Sequence, residues 1–132
     1  MQTEKEKIRI LIVDDHALVA DAWKLILNSI ENFEVIGTKE SAEDALIFCL
    51  AQKPDIVLMD LEMPEMTGLE VGEKMNHLGI TSKKILLTLH KELFILQKVK
   101  ELQFSGYILK EFALGELDIY IYNYINIAKF II

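Results

Sequence analysis

Four apolar runs in this chain end in polar residues, and those residues share a chemistry. Asp14 and Asp15 follow the run 8–13, Asp60 follows 56–59, Thr88 follows 85–87 and Lys110 follows 107–109. If each run is a strand of one parallel sheet, these side chains meet at its carboxyl edge, where open α/β sheets place their sites. Three carboxylates in one crevice repel one another, by about 4 kcal/mol per pair at about 4 Å and an effective dielectric of about 20. A fold holds them together only by protonation, a cation, or both. Lys110 supplies one positive charge, and a divalent ion would neutralise more. An all-oxygen donor set selects a hard cation, and few protein ligands plus waters suit Mg²⁺ better than Ca²⁺. A carboxylate such as Asp60 in that setting can attack a phosphoryl group and become an acyl phosphate. The metal and Lys110 would hold the phosphoryl oxygens, and the Thr88 hydroxyl would donate a hydrogen bond to them. Several phosphoryl-transfer families share this chemistry.

The elements that must position these residues alternate along the chain. Strands are expected at 8–13, 33–38, 55–60, 83–89 and 106–109. The first is a continuous branched run, as in a strand buried on both faces. Helices are expected at 17–31, at 42–52 behind a Ser41 capping box, from about Thr67 to Gly79, at 91–104, and from about Phe112 onward. Leu18, Ala22, Ile26 and Ile30 mark one face of the first helix, and Ile95, Val99 and Leu102 face inward from the fourth. Pro64 and Gly68 shape the loop after Asp60. Trp23 reads as packing, and Cys49 as a small buried hydrophobe. Right-handed crossovers then give an α/β fold, a three-layer doubly wound (βα)5 sandwich, and the expected parallel sheet is flavodoxin-like, of order 2-1-3-4-5. That order sets strands 1 and 3 side by side, so Asp14, Asp15 and Asp60 share one crevice. The segment 119–127 partly alternates like a strand, but its place in the series favours a helix. Such a helix is apolar nearly all round, so one side should seek a partner.

Composition limits the functional classes. A chain of 132 residues with 52% apolar and 27% charged residues reads as one globular domain. Its net charge of −7 argues against direct nucleic-acid binding by this chain. The single Cys49 suits a reducing compartment. The charged lead 1–7 lacks the apolar core of a signal peptide, and no apolar run is long enough to span a membrane, so a cytoplasmic location is expected. No Gly-rich phosphate loop follows the first strand, which argues against nucleotide binding. His16, His77 and His90 lack metal-ligand spacing, and His16 is expected at a helix start beside the pocket, a modulator at most.

The ordered set Ile10-Leu11-Ile12-Val13-Asp14-Asp15-His16, Asp60-Leu61-Glu62-Met63-Pro64-Glu65-Met66-Thr67-Gly68-Leu69-Glu70, Thr88 and Gly106-Tyr107-Ile108-Leu109-Lys110 resembles the response regulator receiver domain of two-component signalling. The resemblance covers essentially the whole chain. It implies Asp60 as phosphoacceptor and Mg²⁺ bound by Asp15, by Asp14 through water, by Asp60 and by the backbone carbonyl of Glu62. It also implies Thr88 as the switch hydroxyl, Lys110 as the phosphate-contacting lysine and Tyr107 as an aromatic switch. The implied donor is a phosphohistidine on a sensor histidine kinase or phosphotransfer protein. The Asp-Asp-His opening and Gly-Tyr-Ile-Leu-Lys-Glu are most similar to receivers with LuxR-type helix-turn-helix output domains, which implies transcriptional control through a domain not seen in 1–132. The chain is then either a receiver fragment or a stand-alone receiver. A homodimer through helix 4, strand 5 and helix 5, where Leu93 and Phe94 lie, is the other implied partner.

Departures and rivals sharpen the expectations. Leu89 stands where the family more often has a smaller residue and would slow phosphorylation and hydrolysis. The extra acid Glu62 would strengthen metal binding, interfere with the phosphoryl group, or point to solvent. Gln103 and Phe104 replace the small residues common at the end of helix 4, which bears on output geometry. Asp14 and Asp15 as mere helix caps is the bland reading, weakened once Asp60 and Lys110 are counted. An aspartyl-phosphate phosphatase of the haloacid dehalogenase type is the enzymatic rival, but its Asp-x-Asp belongs after the first strand. A receiver that no longer takes phosphate should have lost an acid or the lysine, and neither is lost.

Overall fold

The computed structural model describes residues 7–88 and 92–109. Five parallel strands, β1 (Ile8–Val13), β2 (Phe33–Lys39), β3 (Ile56–Asp60), β4 (Lys83–Thr88) and β5 (Gly106–Leu109), lie in the order β2-β1-β3-β4-β5. Helices α1 (Ala17–Asn28), α2 (Ala42–Gln52), α3 (Gly68–His77) and α4 (Leu93–Glu101) connect them. This is the expected doubly wound, flavodoxin-like arrangement. The helix expected from Phe112, and with it the segment 119–127, lies outside the described residues.

The period-2 alternation of buried strands divides the core between the two sheet faces. Ile10, Ile12, Ile56, Leu58, Ile85, Leu87 and Ile108 pack with Trp23 and Leu27 of α1. Leu11, Val13, Val57, Met59 and Leu86 pack with Cys49 of α2, Val71 and Met75 of α3 and Val99 of α4. Cys49 is buried, and desolvation raises its thiol pKa to about 11, so it packs as the small hydrophobe expected.

The inward face of α1 differs from the expected one. Ala20, Trp23 and Leu27 are buried, Ile26 and Ile30 pack at the edge of the cluster, and Leu18 is 85% exposed. The cause is helical pitch: four residues overshoot one turn by about 40°, so a strict four-residue spacing winds off the buried face. The mixed three- and four-residue spacing 20-23-27 stays on it. The helix also stops at Asn28 rather than at 31, and Asn32 turns left-handed (φ 72°) directly before β2.

Side-chain caps start α2 and α3. Ser41 Oγ accepts from Asp44 N and Thr67 Oγ1 from Glu70 N, each at 3.2 Å. Ile95 and Leu102 flank buried Val99 on the inward face of α4, as expected.

Phe104, flagged above as oversized, is accommodated by a glycine. A Cβ on Gly72 of α3 would lie 2.4 Å from the Phe104 ring. The ring also stacks under Lys84, whose Nζ sits 5.3 Å from its centroid and donates to Asn76 Oδ1 at 2.8 Å. Asn76 Nδ2 in turn donates to the Leu102 carbonyl at 3.0 Å. Gln103 holds a left-handed backbone (φ 61°), a conformation that costs a non-glycine residue about 1 kcal/mol. This network ties α3, β4 and the α4–β5 turn together.

Candidate functional site

β1 and β3 are direct neighbours, with Val13 opposite Met59. Their carboxyl ends therefore deliver Asp14, Asp15 and Asp60 to one place. One ligand atom each from Asp14, Asp15, His16 and Asp60 lies within 4.8 Å of all the others. Asp14 is fully buried and Asp60 is 2% exposed, whereas Asp15 keeps partial access to solvent.

Local backbone geometry aims these groups. Asp14 N donates to the Lys39 carbonyl, which pins the end of β1 against β2. Asp14 Oδ1 then accepts from His16 N at 2.9 Å, an Asx-type turn that leads into α1. Asp60 Oδ1 accepts from Glu62 N at 3.1 Å, and this turns the chain away from β3 in the same manner. Gly68 lets the start of α3 press against that turn. A Cβ there would sit 2.5 Å from the Asp60 carbonyl oxygen. Thus Gly68 shapes the loop after Asp60, as anticipated. The N-cap of α1 is His16, and Asp15 is not a cap, which removes the reading of both aspartates as helix caps.

Two buried oxygens in the cluster, Asp14 Oδ2 and Asp15 Oδ1, accept no hydrogen bond. Asp15 Oδ1 lies 3.1 Å from His16 Nδ1 but without hydrogen-bond alignment. A buried carboxylate oxygen without a donor costs on the order of 1–3 kcal/mol. The donor set fits a hard divalent cation: carboxylate oxygens following two strands, two of them without a hydrogen-bond donor, with partial solvent access at Asp15 for waters. Mg²⁺, expected from the sequence, is therefore chemically compatible with these residues.

The remaining expected residues fall as follows. Thr88 ends β4 and is 1% exposed, one residue beyond Leu87, which pairs with Asp60. Tyr107 lies on β5 opposite Leu86 and is 38% exposed. The Glu62 side chain is exposed, on the rim of a groove between α3 and α4. Lys110 and Leu89 lie outside the described residues. His16 is closer to the chemistry than its spacing suggested, since its Nδ1 joins the carboxylates although no second histidine among the described residues does. Its position directly after the Asp-Asp pair was the available signal.

A doubly wound parallel sheet in the order 2-1-3-4-5, with acids converging from β1 and β3, defines a flavodoxin-like protein with its site at the switch point. The chain belongs to the response regulator receiver domain family, whose family model matches residues 10–122. It is 38% identical over 110 residues to the response regulator UvrY of Escherichia coli O6:H1, an alignment covering 83% of this chain and 50% of UvrY. It is 36% identical over 103 residues to the transcriptional regulatory protein YdfI of Bacillus subtilis, covering 78% of this chain and 48% of YdfI. The chain thus spans about half the length of these curated relatives. Among solved structures, the signal receiver domain of the response regulator NarL from Mycobacterium tuberculosis superimposes with a TM-score of 0.81 at 26% identity, covering 95% of this chain and 98% of that one. A LuxR-family two-component response regulator from Aurantimonas sp. gives 0.79 at 26% identity, covering 92% and 86%. The class is that of receivers in LuxR-type response regulators, as the sequence motifs implied.

Proposed function

We propose that the whole chain, 1–132, is a single receiver domain acting as a phosphorylation switch, with Asp60 as phosphoacceptor. The observation that carries this reading is the meeting of Asp14, Asp15 and Asp60 at one end of the sheet, with two buried oxygens that lack donors. An Asp60 carboxylate oxygen forms a bond to phosphorus as the N–P bond of a phosphohistidine breaks, and the leaving imidazole keeps the bonding electron pair. The donor is a sensor histidine kinase or phosphotransfer protein. Asp14, Asp15, Asp60 and the Glu62 carbonyl would hold Mg²⁺, which when bound neutralises charge on the phosphoryl oxygens. Lys110 contacts the phosphoryl group, and the Thr88 hydroxyl donates to it.

The acyl phosphate biases an existing equilibrium rather than creating a new state. Thr88 moves toward the phosphoryl group, and Tyr107, on the neighbouring strand, turns inward. The face formed by α4 and β5 then changes, and this controls transcription through an output domain or by dimerisation. The reading is a signalling switch, not a turnover enzyme.

The test uses acetyl phosphate with Mg²⁺ and intact-protein mass spectrometry. Wild type should gain the mass of one phosphoryl group, and Asp60→Asn should gain none. Persistent labelling of that variant would refute Asp60 as acceptor, and turnover of a phosphate ester would favour the phosphatase rival.

A further inference from the structure

We infer that a pocket at the amino-terminal edge of the sheet binds a small organic anion, an apolar body carrying a sulfonate-, phosphate- or carboxylate-type head. The pocket encloses about 730 Å³, within the range of small-molecule sites. It opens among Ile8, Ile56 and Lys83, the first residues of β1, β3 and β4. The acid cluster lies at the other end of these strands, since Ile56 and Asp60 are the two ends of β3, about 13 Å apart. The proposal does not depend on phosphorylation at Asp60, so it stands or fails separately.

The pocket has an apolar wall and a cationic margin. Ile8, Cys49, Leu50, Ile56 and Ile80 form the wall. Cys49 and Ile56 are buried, whereas Leu50, near the end of α2, is 51% exposed and leaves apolar surface for a ligand. Lys7, Lys53 and Lys83 supply the margin, and Asp55 is the one acid among the described lining residues. Asp55 is engaged within the fold, its Oδ2 accepting from Arg9 N at 2.8 Å. Among the described residues no carboxylate pairs with any of the three lysines, and none of their ammonium groups donates a hydrogen bond.

The tasks that would hold lysines here for the sake of the fold are already filled. Strand starts lie beside helix C-termini, whose carbonyls attract cations. The Arg9 guanidinium donates to the Gln52 and Lys53 carbonyls after α2, at 2.8 and 3.1 Å. At the end of α3, Ile80 N and Gly79 N donate to the Met75 and Asn76 carbonyls. Ser82 Oγ donates to the Pro54 carbonyl at 2.6 Å. Three uncompensated ammonium groups around one apolar pocket are also a local exception in a chain of net charge −7. Lysine meets an anionic head as a point charge, and the apolar wall takes the body behind it.

The probe is 2-naphthalenesulfonate, titrated calorimetrically against the full chain; it carries no phosphoryl group to transfer to Asp60. The uncharged 2-naphthalenesulfonamide tests the head, and inorganic sulfate tests the body. The sulfonate should bind, and both comparators should bind at least about tenfold more weakly. The double variant Lys53→Asn/Lys83→Gln should weaken sulfonate binding by about tenfold or more. Asparagine tolerates the left-handed backbone of Lys53 (φ 49°). Lys24→Gln/Lys100→Gln removes the same charge at exposed positions on α1 and α4 and should weaken binding by less than about twofold. Leu50→Ser should weaken binding while leaving the melting temperature unchanged. Equal binding of the sulfonamide, equal weakening by the two lysine pairs, or no binding of the sulfonate would overturn the proposal. So would a dimer seen by light scattering that Leu50→Ser dissolves, since the occupant would then be a second copy.

Discussion

Asp14 and Lys84 are both charged side chains buried on the central sheet, 0% and 4% exposed, yet their surroundings are opposite in kind. Lys84 has its needs met within the fold. Its Nζ donates to Asn76 Oδ1 at 2.8 Å, approaches the Gln103 carbonyl at 3.5 Å and lies over the Phe104 ring. Asp14 sits among other carboxylates, and its Oδ2 has no donor. A buried charge whose partners are complete belongs to the architecture. A buried charge left incomplete marks a place where something from outside the fold belongs.

The largest expected effect attacks the architectural region. Phe104→Ala should cost about 3–5 kcal/mol in chemical denaturation, the range for a buried aromatic. Gly72→Ala should also destabilise, because its new methyl meets the ring, and it should be largely rescued by Phe104→Leu in the double variant. Additive losses would show that the two residues do not share the space described here.

The next effect belongs to the acidic region. Mg²⁺ should raise the melting temperature, with about 2.7 kcal/mol of stabilisation at a hundredfold excess over its Kd. Asp14→Asn combined with Asp15→Asn should abolish that rise, whereas Lys84→Met should leave it intact. A rise that survives the double aspartate change would place the cation elsewhere.

A smaller effect tests the completeness of the Lys84 network. Lys84→Met leaves Asn76 Oδ1 without its donor and should cost about 1 kcal/mol near neutral pH. Burial, with a lesser contribution from Lys83, lowers the Lys84 pKa below its ordinary 10.5. The unfolded chain therefore holds this proton to higher pH than the folded one. The penalty is present below the folded pKa, and stability from this group increases as pH rises through that value toward 10.5. Difference curves between wild type and Lys84→Met over the alkaline range should show that slope. A flat difference would mean the lysine is better solvated than its burial indicates.

The smallest effect returns to the acids. Asp60→Asn without metal should melt slightly above wild type, by about 1 kcal/mol of stability, because one of three close carboxylates is neutralised while the Glu62 N–H keeps an acceptor. A lower melting temperature would show that repulsion in the cluster is already compensated.

Much of the fold was legible because the strands are short apolar runs buried on both faces, which read plainly between helical patterns. The crossover rule placed helices on both faces of the sheet, and the order 2-1-3-4-5 was taken from flavodoxin-like sheets. The acid cluster was legible for the same reason, since a residue directly after a buried strand has only the sheet edge to occupy. Helix faces were less legible. Leu18 appeared to belong to a buried stripe because a four-residue spacing resembles the helical repeat without matching it. Phe104 looked like a departure with consequences for output geometry, because nothing in the local sequence shows that Gly72, far along the chain, faces it. His16 was expected at a helix start beside the pocket and caps α1 there, and what the sequence did not show is that its Nδ1 lies against both Asp14 and Asp15.

The amino-acid order alone determined the alternating elements, the sheet they must form and the identity of the acids at its edge. Those features depend on local hydrophobic period and chain chirality, which any window of the sequence carries. Only the tertiary structure decided that two particular carboxylate oxygens are left without donors, that Lys84 finds neutral acceptors and an aromatic face, and that Gly72 of α3 faces the Phe104 ring. Each of these depends on distances between residues remote in the chain, fixed when the helices settle against the sheet.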